Sequence, residues 1–206
     1  MLHGANGPHD VDPNYDPSQF FHLRADLAIY IDSDLVTIPD DIGIGASNFT
    51  SFIHTHDGDP NRLHLEPAGG QPSAFATLGD FFDAWQNNAG TVGNNPDAIL
   101  TDTQLLDRIV DDNNTLQAFV NGTRLEDDFA DYQIHDGDNI VLTYGNNPVI
   151  TIETNAGNVP ILLLRDEAPA TVENFLRYVN GGVDSFGYEG SIFHRNHLGF
   201  VLQGGG

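Results

Sequence analysis

The 206-residue chain has no cysteine, no lysine, and only one methionine and one tryptophan. Without cysteine it can form no disulfide, has no thiol nucleophile and offers no thiolate ligand to zinc or to an iron–sulfur cluster. No apolar run approaches the roughly 18 residues that a membrane-spanning helix needs. The composition therefore excludes thiol chemistry and Cys-ligated metal sites, and it predicts no membrane span.

Positive charge is also scarce. The chain has seven arginines and 30 acidic residues, which gives a net charge of −23. Nucleic acids and anionic membrane surfaces are both bound through clustered Lys and Arg. The chain is therefore expected to bind neither. Its apolar fraction of 39% and aromatic fraction of 10% are too high for a disordered acidic tail, so we expect folded domains.

The acidic residues are unevenly distributed along the chain. Residues 1–147 hold 24 of them with four arginines, whereas residues 148–206 hold six with three arginines. The pair Asn146-Asn147 followed by proline is a turn or linker signal at the point where the composition changes. We predict a flexible leader over residues 1–20, an acidic His-rich α+β domain over residues 21–147, and a second domain after it.

Hairpin and helix signals alternate through the first domain. Residues 27–38 predict one hairpin, and strands over 49–56 and 62–66 predict a second. Threonine N-caps predict helices over residues 77–86 and 101–111, the latter supported by capping-box spacing.

The clearest hairpin signal is Asn121-Gly122 between the two apolar halves of residues 116–125. The turn Asp136-Gly137-Asp138 then leads into a strand over residues 139–144. A closing strand after an Asp-Gly-Asp turn resembles a β-grasp module.

Three of the nine histidines fall within one predicted hairpin. His54 and His56 are two residues apart, so strand geometry places both on one face. The turn after them brings His64 and Glu66 back beside that face. Imidazole and carboxylate ligands in this arrangement suit zinc, copper or iron. We predict a transition-metal site formed by His54, His56, His64 and Glu66.

Asp57 or His22 could supply a further ligand to this site. The alternative is a polar strand that faces solvent and whose histidines hydrogen-bond locally. The stretch that contains Ile53-His54-Thr55-His56-Asp57 and His64-Leu65-Glu66 resembles an uncharacterised domain of exported bacterial and archaeal proteins. That resemblance implies an extracellular or cell-envelope location in a prokaryote, and it implies no activity.

The second domain carries an ordered series of motifs. Residues 149–164 alternate as a two-stranded hairpin, and the helix over residues 168–179 has a first-turn proline and one apolar face. Phe193-His194-Arg195 and Gly199-Phe200-Val201-Leu202-Gln203-Gly204-Gly205 follow as two further strands. In this order the motifs resemble the first part of a cyclophilin-type peptidyl-prolyl cis-trans isomerase.

This resemblance implies a role for individual residues. Arg195 matches the catalytic arginine of the family, Phe200 an aromatic of the proline pocket, and Gln203 a side chain that holds the substrate backbone. Val201 and His194 match neighbouring substrate-binding positions. The implied substrates are proline-containing polypeptides, and the implied chemistry needs no cofactor.

The resemblance also implies an incomplete domain, because a cyclophilin barrel needs more strands and a second long helix than residues 149–206 supply. The predicted fold class is α+β, a small mixed α/β (β-grasp-like) domain followed by an incomplete cyclophilin-like β-barrel. Phe193 is expected in the core. His197-Leu198 departs from the apolar-proline pair that the family usually has before Gly199-Phe200.

Two functions compete at this point. The chain is either the front part of an isomerase, or an exported metal-binding or interaction module with a non-functional cyclophilin remnant. The presence of Arg195, Phe200 and Gln203 together favours the isomerase. If the domain ends at Gly206, the barrel cannot close and catalysis is not expected. A β-grasp interaction adaptor, the third candidate, depends on the Asp-Gly-Asp segment alone.

Overall fold

The structure, a computed structural model, describes residues 22–45, 51–56, 58–59, 61–66, 76–87, 93–181 and 187–205. The predicted leader and the candidate ligand Asp57 lie outside the described residues. The chain divides into two compact units, one of Met1–Asn146 with Thr151–Pro160 and the other of Asn147–Ile150 with Ile161–Gly206.

The described residues form fourteen strands, two α-helices and a short 3-10 helix. The strands are β1 (Leu23–Ile31), β2 (Asp34–Leu35), β3 (Ile53–His54), β4 (Arg62–Leu65), β5 (Leu100–Thr101), β6 (Gln104–Leu105), β7 (Arg108–Ile109), β8 (Thr115–Val120), β9 (Thr123–Leu125), β10 (Asn139–Gly145), β11 (Val149–Thr154), β12 (Gly157–Leu162), β13 (Phe193–His197) and β14 (Val201–Gly204). The helices are α1 (Leu78–Asn87), α2 (Pro169–Val179) and the 3-10 turn Phe129–Asp131.

The first unit is built on one mixed sheet with the order β3-β4-β1-β10-β8-β9, and β2 also pairs with β1. The central strand β1 runs antiparallel to β4 and parallel to β10. Alternate β1 residues Ala25, Leu27 and Ile29 are buried, as expected for a strand with one face toward a core. A strand from the start of the unit thus lies beside one from its end.

Helix α1 supplies much of the hydrophobic core of this unit. The Asp80 N–H donates to Thr77 Oγ1 at 3.2 Å, and the Thr77 N–H donates to Asp80 Oδ2 at 2.7 Å. This reciprocal capping box satisfies two otherwise unpaired donors and fixes where the helix begins. The predicted helix over 77–86 is confirmed, and Phe81, Phe82 and Trp85 are buried in the core.

Two predicted hairpins have left-handed turn residues, as tight two-residue turns require. Asp32 and Ser33 have φ values of 50° and 82°, and Asn121 and Gly122 have 51° and 80°. Gly122 is required here for a second reason, because a Cβ on it would lie 2.3 Å from the carbonyl oxygen of Asn158. The hairpins β1–β2 and β8–β9 are confirmed.

The predicted helix over residues 101–111 is wrong, because β5, β6 and β7 form a three-stranded antiparallel sheet there. The Thr101 hydroxyl accepts from the Thr103 N–H at 3.3 Å, which closes a local turn. The Gln104 side chain donates to the Leu106 carbonyl, and Leu106 has a left-handed φ of 54°. These side-chain bonds compete with a helical cap and favour turns.

The strand predicted over residues 49–56 is shorter than expected. Pairing is confined to β3, and residues 49–50 lie outside the described residues. Beyond β3 the Thr55 hydroxyl donates to the Pro39 carbonyl and accepts from the Ile42 N–H. The chain after β3 is therefore hydrogen-bonded, through the Thr55 side chain, to the loop that contains Pro39 and Ile42, and not to β4.

The second unit has little buried apolar surface among its described residues. Helix α2 begins with Pro169 in its first turn, as predicted, and of its apolar residues Val172 is buried while Val179 is 41% exposed. Strands β13 and β14 form an antiparallel hairpin. Phe193, expected in the core, is 48% exposed.

The described residues as a whole are mixed α/β and mostly sheet. Strands β11 and β12 form one two-stranded sheet and β13 and β14 another, and the described strands close no barrel. Among the described residues, no helix combines the length and the apolar character that crossing a membrane requires.

Candidate functional site

The hairpin β13–β14 brings together three of the residues implicated by the sequence. Arg195 lies directly opposite Gln203 in the strand register. The guanidinium carbon of Arg195 lies 5.9 Å from the centre of the Phe200 ring, within the range of a cation–π contact. One short hairpin thus presents a permanent cation, an aromatic face and an amide side by side.

The register of this hairpin shifts between Phe193 and Arg195, so His194 lies at an irregularity in β13. Such bulges twist a strand locally and change the direction of the side chains that follow. Val201 is half-buried opposite His197, whereas His194 is exposed. All five residues predicted for the isomerase site therefore lie on β13, on β14 or in the turn between them.

The sequence assigned no definite role to His197, but its ring lies 5.7 Å from that of Phe200 at an angle of 82°. This edge-to-face contact places an imidazole on the side of the aromatic ring. The Phe200 N–H donates to the His197 carbonyl at 3.0 Å and closes the turn. The i, i+3 spacing across a tight turn was the signal that could have identified this pair.

Exposure and charge determine what this hairpin can do chemically. Phe200 is 75% exposed, and the Arg195 side chain is exposed as well. A guanidinium stays charged at any physiological pH and presents a rigid fork of donors. The surface can therefore hold a peptide against an aromatic face and place a donor beside one of its backbone atoms.

A second concentration of chemical groups lies in the first unit, at the β3–β4 edge of the sheet. We call it the histidine cluster, and it comprises His22, His54, His56, His64 and Glu66. In the strand register His54 lies opposite His64, and His22 and Glu66 directly adjoin the Leu23–Leu65 pair. Residues far apart in sequence thus meet at one end of the strands.

The ring of His64 lies within contact distance of the other three imidazoles. Its centre is 4.0 Å from that of His56, 5.7 Å from that of His54 and 5.2 Å from that of His22. The rings of His54 and His56 are 5.8 Å apart. The expectation that these two share a side of the hairpin is therefore confirmed.

The closest polar contacts in the cluster involve a residue outside the predicted ligand set. His22 Nε2 lies 2.9 Å from His64 Nδ1 and 3.3 Å from Glu66 Oε1. Ligand atoms of these three residues all lie within 4.8 Å of one another, a grouping that does not include His54 or His56. The contact with His22 spans 42 residues of sequence, so no local pattern indicates it.

Burial disfavours the charged form of three of the histidines, His22, His54 and His64. His54 and His64 are 3% and 2% exposed. Burial, and after it the charges of the neighbouring imidazoles and of Arg24, together lower the pKa of His64 to about 4. Burial also lowers the pKa of His54 and of His22, whereas Glu66 acts in the opposite direction on both.

The second domain's motifs have counterparts in known proteins. Residues 149–206 match the family model of the cyclophilin type peptidyl-prolyl cis-trans isomerase. Over 57 residues the chain is 46% identical to peptidyl-prolyl cis-trans isomerase A of Dickeya dadantii and 47% identical to the isomerase cyp18 of Streptomyces antibioticus. Over 58 residues it is 45% identical to peptidyl-prolyl cis-trans isomerase B of Escherichia coli.

Each of these matches covers 28% of this chain. The chain in turn spans 28%, 32% and 33% of the three relatives' lengths. Residues 149–206 thus carry part of a cyclophilin-type domain, as the sequence motifs indicated. No solved structure matches the chain.

Proposed function

We propose that the protein carrying this chain is a peptidyl-prolyl cis-trans isomerase that acts on proline-containing polypeptides. The observation that carries the proposal is the juxtaposition of Arg195, Phe200 and Gln203 on one hairpin within the segment that matches the cyclophilin family model. Three relatives of that segment bear the name of this activity.

The reaction is rotation about a peptide bond, and its barrier is about 18–20 kcal/mol because the planar amide is conjugated. In the twisted state conjugation is lost and the prolyl nitrogen becomes pyramidal and basic. A donor placed at that nitrogen stabilises the twisted state more than the planar one, which is the requirement for acceleration. No bond is made or broken, so the chemistry needs no cofactor.

The three side chains divide this task among them. Phe200 offers an aromatic face to the proline ring, and Gln203 offers both a donor and an acceptor to the substrate backbone. Arg195, opposite Gln203 and in contact with the Phe200 ring, directs its guanidinium toward the prolyl nitrogen. Val201 and His194 flank the bound peptide on the same hairpin.

The finer architecture is also a proposal. In the first unit, the antiparallel pair β1–β4, helix α1, the hairpin β8–β9 and the strand β10 inserted parallel to β1 support a β-grasp-like domain. After residue 147, the hairpin β11–β12, helix α2 and the hairpin β13–β14 support the first part of a cyclophilin-like barrel. We retain the boundary near residue 147 as part of this proposal.

The test is the rate of cis/trans exchange in a short X-Pro peptide, measured by NMR exchange spectroscopy with the protein that carries this chain. We expect acceleration by the wild type and a roughly 100-fold loss with Arg195→Ala, the typical effect of removing one preorganised donor. Arg177→Ala is the matched control, because it removes an exposed arginine from α2 outside the hairpin. Equal rates in the two variants would contradict the proposal.

A further inference from the structure

The histidine cluster belongs to the other unit of the chain and shares no residue with the proposed isomerase hairpin. We propose that it binds one divalent transition-metal ion through His22, His64 and Glu66, with His56 as the nearest further imidazole. The site offers nitrogen and oxygen donors and no thiolate, which suits zinc and its first-row neighbours.

The contacts of His22 are the first reason for this assignment. His22 Nε2 lies 2.9 Å from His64 Nδ1 and 3.3 Å from Glu66 Oε1. One ligand atom from each of the three residues therefore lies within 4.8 Å of the other two. With Zn–N bonds of about 2.05 Å, two imidazole nitrogens on a tetrahedral ion lie about 3.3 Å apart. The observed 2.9 Å between His22 Nε2 and His64 Nδ1 is a few tenths of an ångström shorter than this spacing.

The tautomers of the buried rings are the second reason. The Ser51 carbonyl, 3.2 Å from His54 Nδ1, can only accept, so neutral His54 carries its proton on Nδ1 and keeps the lone pair on Nε2. Metal-binding histidines commonly have such a partner on the other ring nitrogen. In the contact between His22 Nε2 and His64 Nδ1, one nitrogen donates and the other accepts.

His64 Nε2 supplies an independent observation. It is fully buried and has no hydrogen-bond partner among the described residues. The nearest carboxylate, Asp59 Oδ2, lies 3.7 Å away, beyond hydrogen-bond distance. An unpaired buried polar atom destabilises the folded chain. Bound metal at Nδ1 would make that N–H a stronger donor and draw it toward Asp59.

The charges around the cluster include one that opposes a cation. Arg24 lies opposite His64 in the register of β1 and β4. Glu66 lies among the ligand atoms, and Asp59 faces the far side of His64. Asp136 also accepts from the Arg24 N–H at 3.0 Å, so a carboxylate lies beside that arginine as well. Carboxylates thus outnumber the arginine at the site.

The test is calorimetric titration of Zn²⁺ into the chelator-treated 206-residue chain, with excess Ca²⁺ present to occupy oxygen-only sites on this acidic surface. We expect one zinc ion per chain, and Co²⁺ absorption bands of a low-coordinate nitrogen and oxygen site. His22→Ala and Glu66→Gln, both at accessible positions, should each weaken zinc binding about tenfold or more. His64→Gln should do the same, but it changes a buried residue and is therefore the supporting variant.

His135→Ala is the matched control, since its side chain is 63% exposed and lies outside the cluster. It should leave the zinc affinity unchanged, and so should Arg195→Ala, because that residue belongs to the proposed isomerase hairpin. The proposal is overturned if zinc does not bind stoichiometrically, or if binding survives both His22→Ala and Glu66→Gln. Neither result would bear on the isomerase activity.

Discussion

Arg195 and Asp138 show two opposite environments for a charged side chain in this protein. Arg195 is exposed, and its neighbours are an aromatic ring and an amide, so its donors remain available to a ligand. Asp138 is 5% exposed, and its carboxylate is surrounded by donors from its own unit. The first environment is suited to binding and the second to holding turns in place.

Asp138 accepts from Tyr132 Oη, the His135 N–H and Asn121 Nδ2, each at 2.8 Å. These bonds connect the Asp-Gly-Asp turn to the Asn-Gly turn of the neighbouring hairpin. Asp138→Ala should therefore lower the free energy of unfolding by about 2 to 3 kcal/mol, because it leaves buried donors without an acceptor. Chemical denaturation measures the change.

The matched control is Asp127→Ala, which removes the same charge at an exposed position. It should change the stability by less than about 0.5 kcal/mol. Asp138→Asn, which keeps one acceptor oxygen, should fall between the two. A loss for Asp127→Ala as large as for Asp138→Ala would contradict a specific contribution of the Asp138 hydrogen bonds.

At the residue scale, the hairpin proposed to carry the isomerase activity could be predicted from the sequence, because its residues lie within eleven positions of one another. Arg195 and Gln203 must face each other once the turn at Gly199 closes. The contact between His22 and His64 was not accessible, since it depends on the pairing of β1 with β4 across 42 residues. Local patterns identified the histidines but could not choose among them.

At the scale of elements, strand β4 has buried residues on both faces. Leu63 and Leu65 lie in the hydrophobic core, and His64 between them is also fully buried, beneath the other imidazoles. The strand thus contributes to an apolar core on one side and to a polar cluster on the other. This arrangement links the stability of the sheet edge to the protonation of His64.

The folded-state pKa of His64, about 4, lies below its ordinary value of 6.5. As the pH falls from 6.5 to about 4, His64 takes up a proton in the unfolded chain but not in the folded chain. The free energy of unfolding therefore decreases. The metal-free protein should lose on the order of 2 kcal/mol between pH 7 and pH 4 from this residue. The charged neighbours Glu66, Asp59 and Arg24 are part of the same environment.

The measurement is denaturant unfolding at a series of pH values in the presence of a chelator. His64→Gln should flatten the dependence between pH 6.5 and pH 4 relative to wild type, whereas His135→Gln, at an exposed position, should not. Comparing variants removes the contribution of the many carboxylates that titrate in the same range. If the free energy of unfolding changed with pH in the same way for wild type and His64→Gln, the claim that His64 is buried as a neutral imidazole would be refuted.

Elements could be predicted from the sequence where turn chemistry determined them. The Asn121-Gly122 and Asp32-Ser33 turns adopt the left-handed conformations that two-residue hairpins need, and the Thr77–Asp80 capping box starts α1. The same capping-box spacing at Thr101–Gln104 failed, because side-chain bonds to nearby backbone groups favoured turns. A capping box predicts a helix reliably only when an apolar face follows it and packs, as in α1.

At the scale of the whole molecule, the two units differ in burial. The described part of the first contains a continuous hydrophobic core, whereas the described residues of the second bury Val172 alone among their apolar side chains. Ile192, Leu198 and Leu202 in the second unit are 69%, 91% and 59% exposed. Buried apolar contacts determine how much free energy a local opening costs.

Hydrogen exchange should therefore separate the units in the 206-residue chain. Amides of β1, β8 and β10 should exchange roughly 100-fold or more slowly than those of β13 and β14, corresponding to about 3 kcal/mol of additional opening free energy. Mass spectrometry of the exchanged chain measures this difference directly. Equal protection of the two sets of strands would contradict the expectation that the first unit, with its larger buried core, opens less readily.

The most direct test of the isomerase proposal measures binding and rate together. An X-Pro peptide titrated into the protein that carries this chain gives the dissociation constant from chemical shifts and the catalysed exchange rate from line shapes. We predict that Arg195→Ala lowers the exchange rate about 100-fold while the dissociation constant changes only a few-fold, because the guanidinium acts mainly on the twisted amide. Exchange as fast with Arg195→Ala as with the wild type would show that this hairpin does not carry the activity.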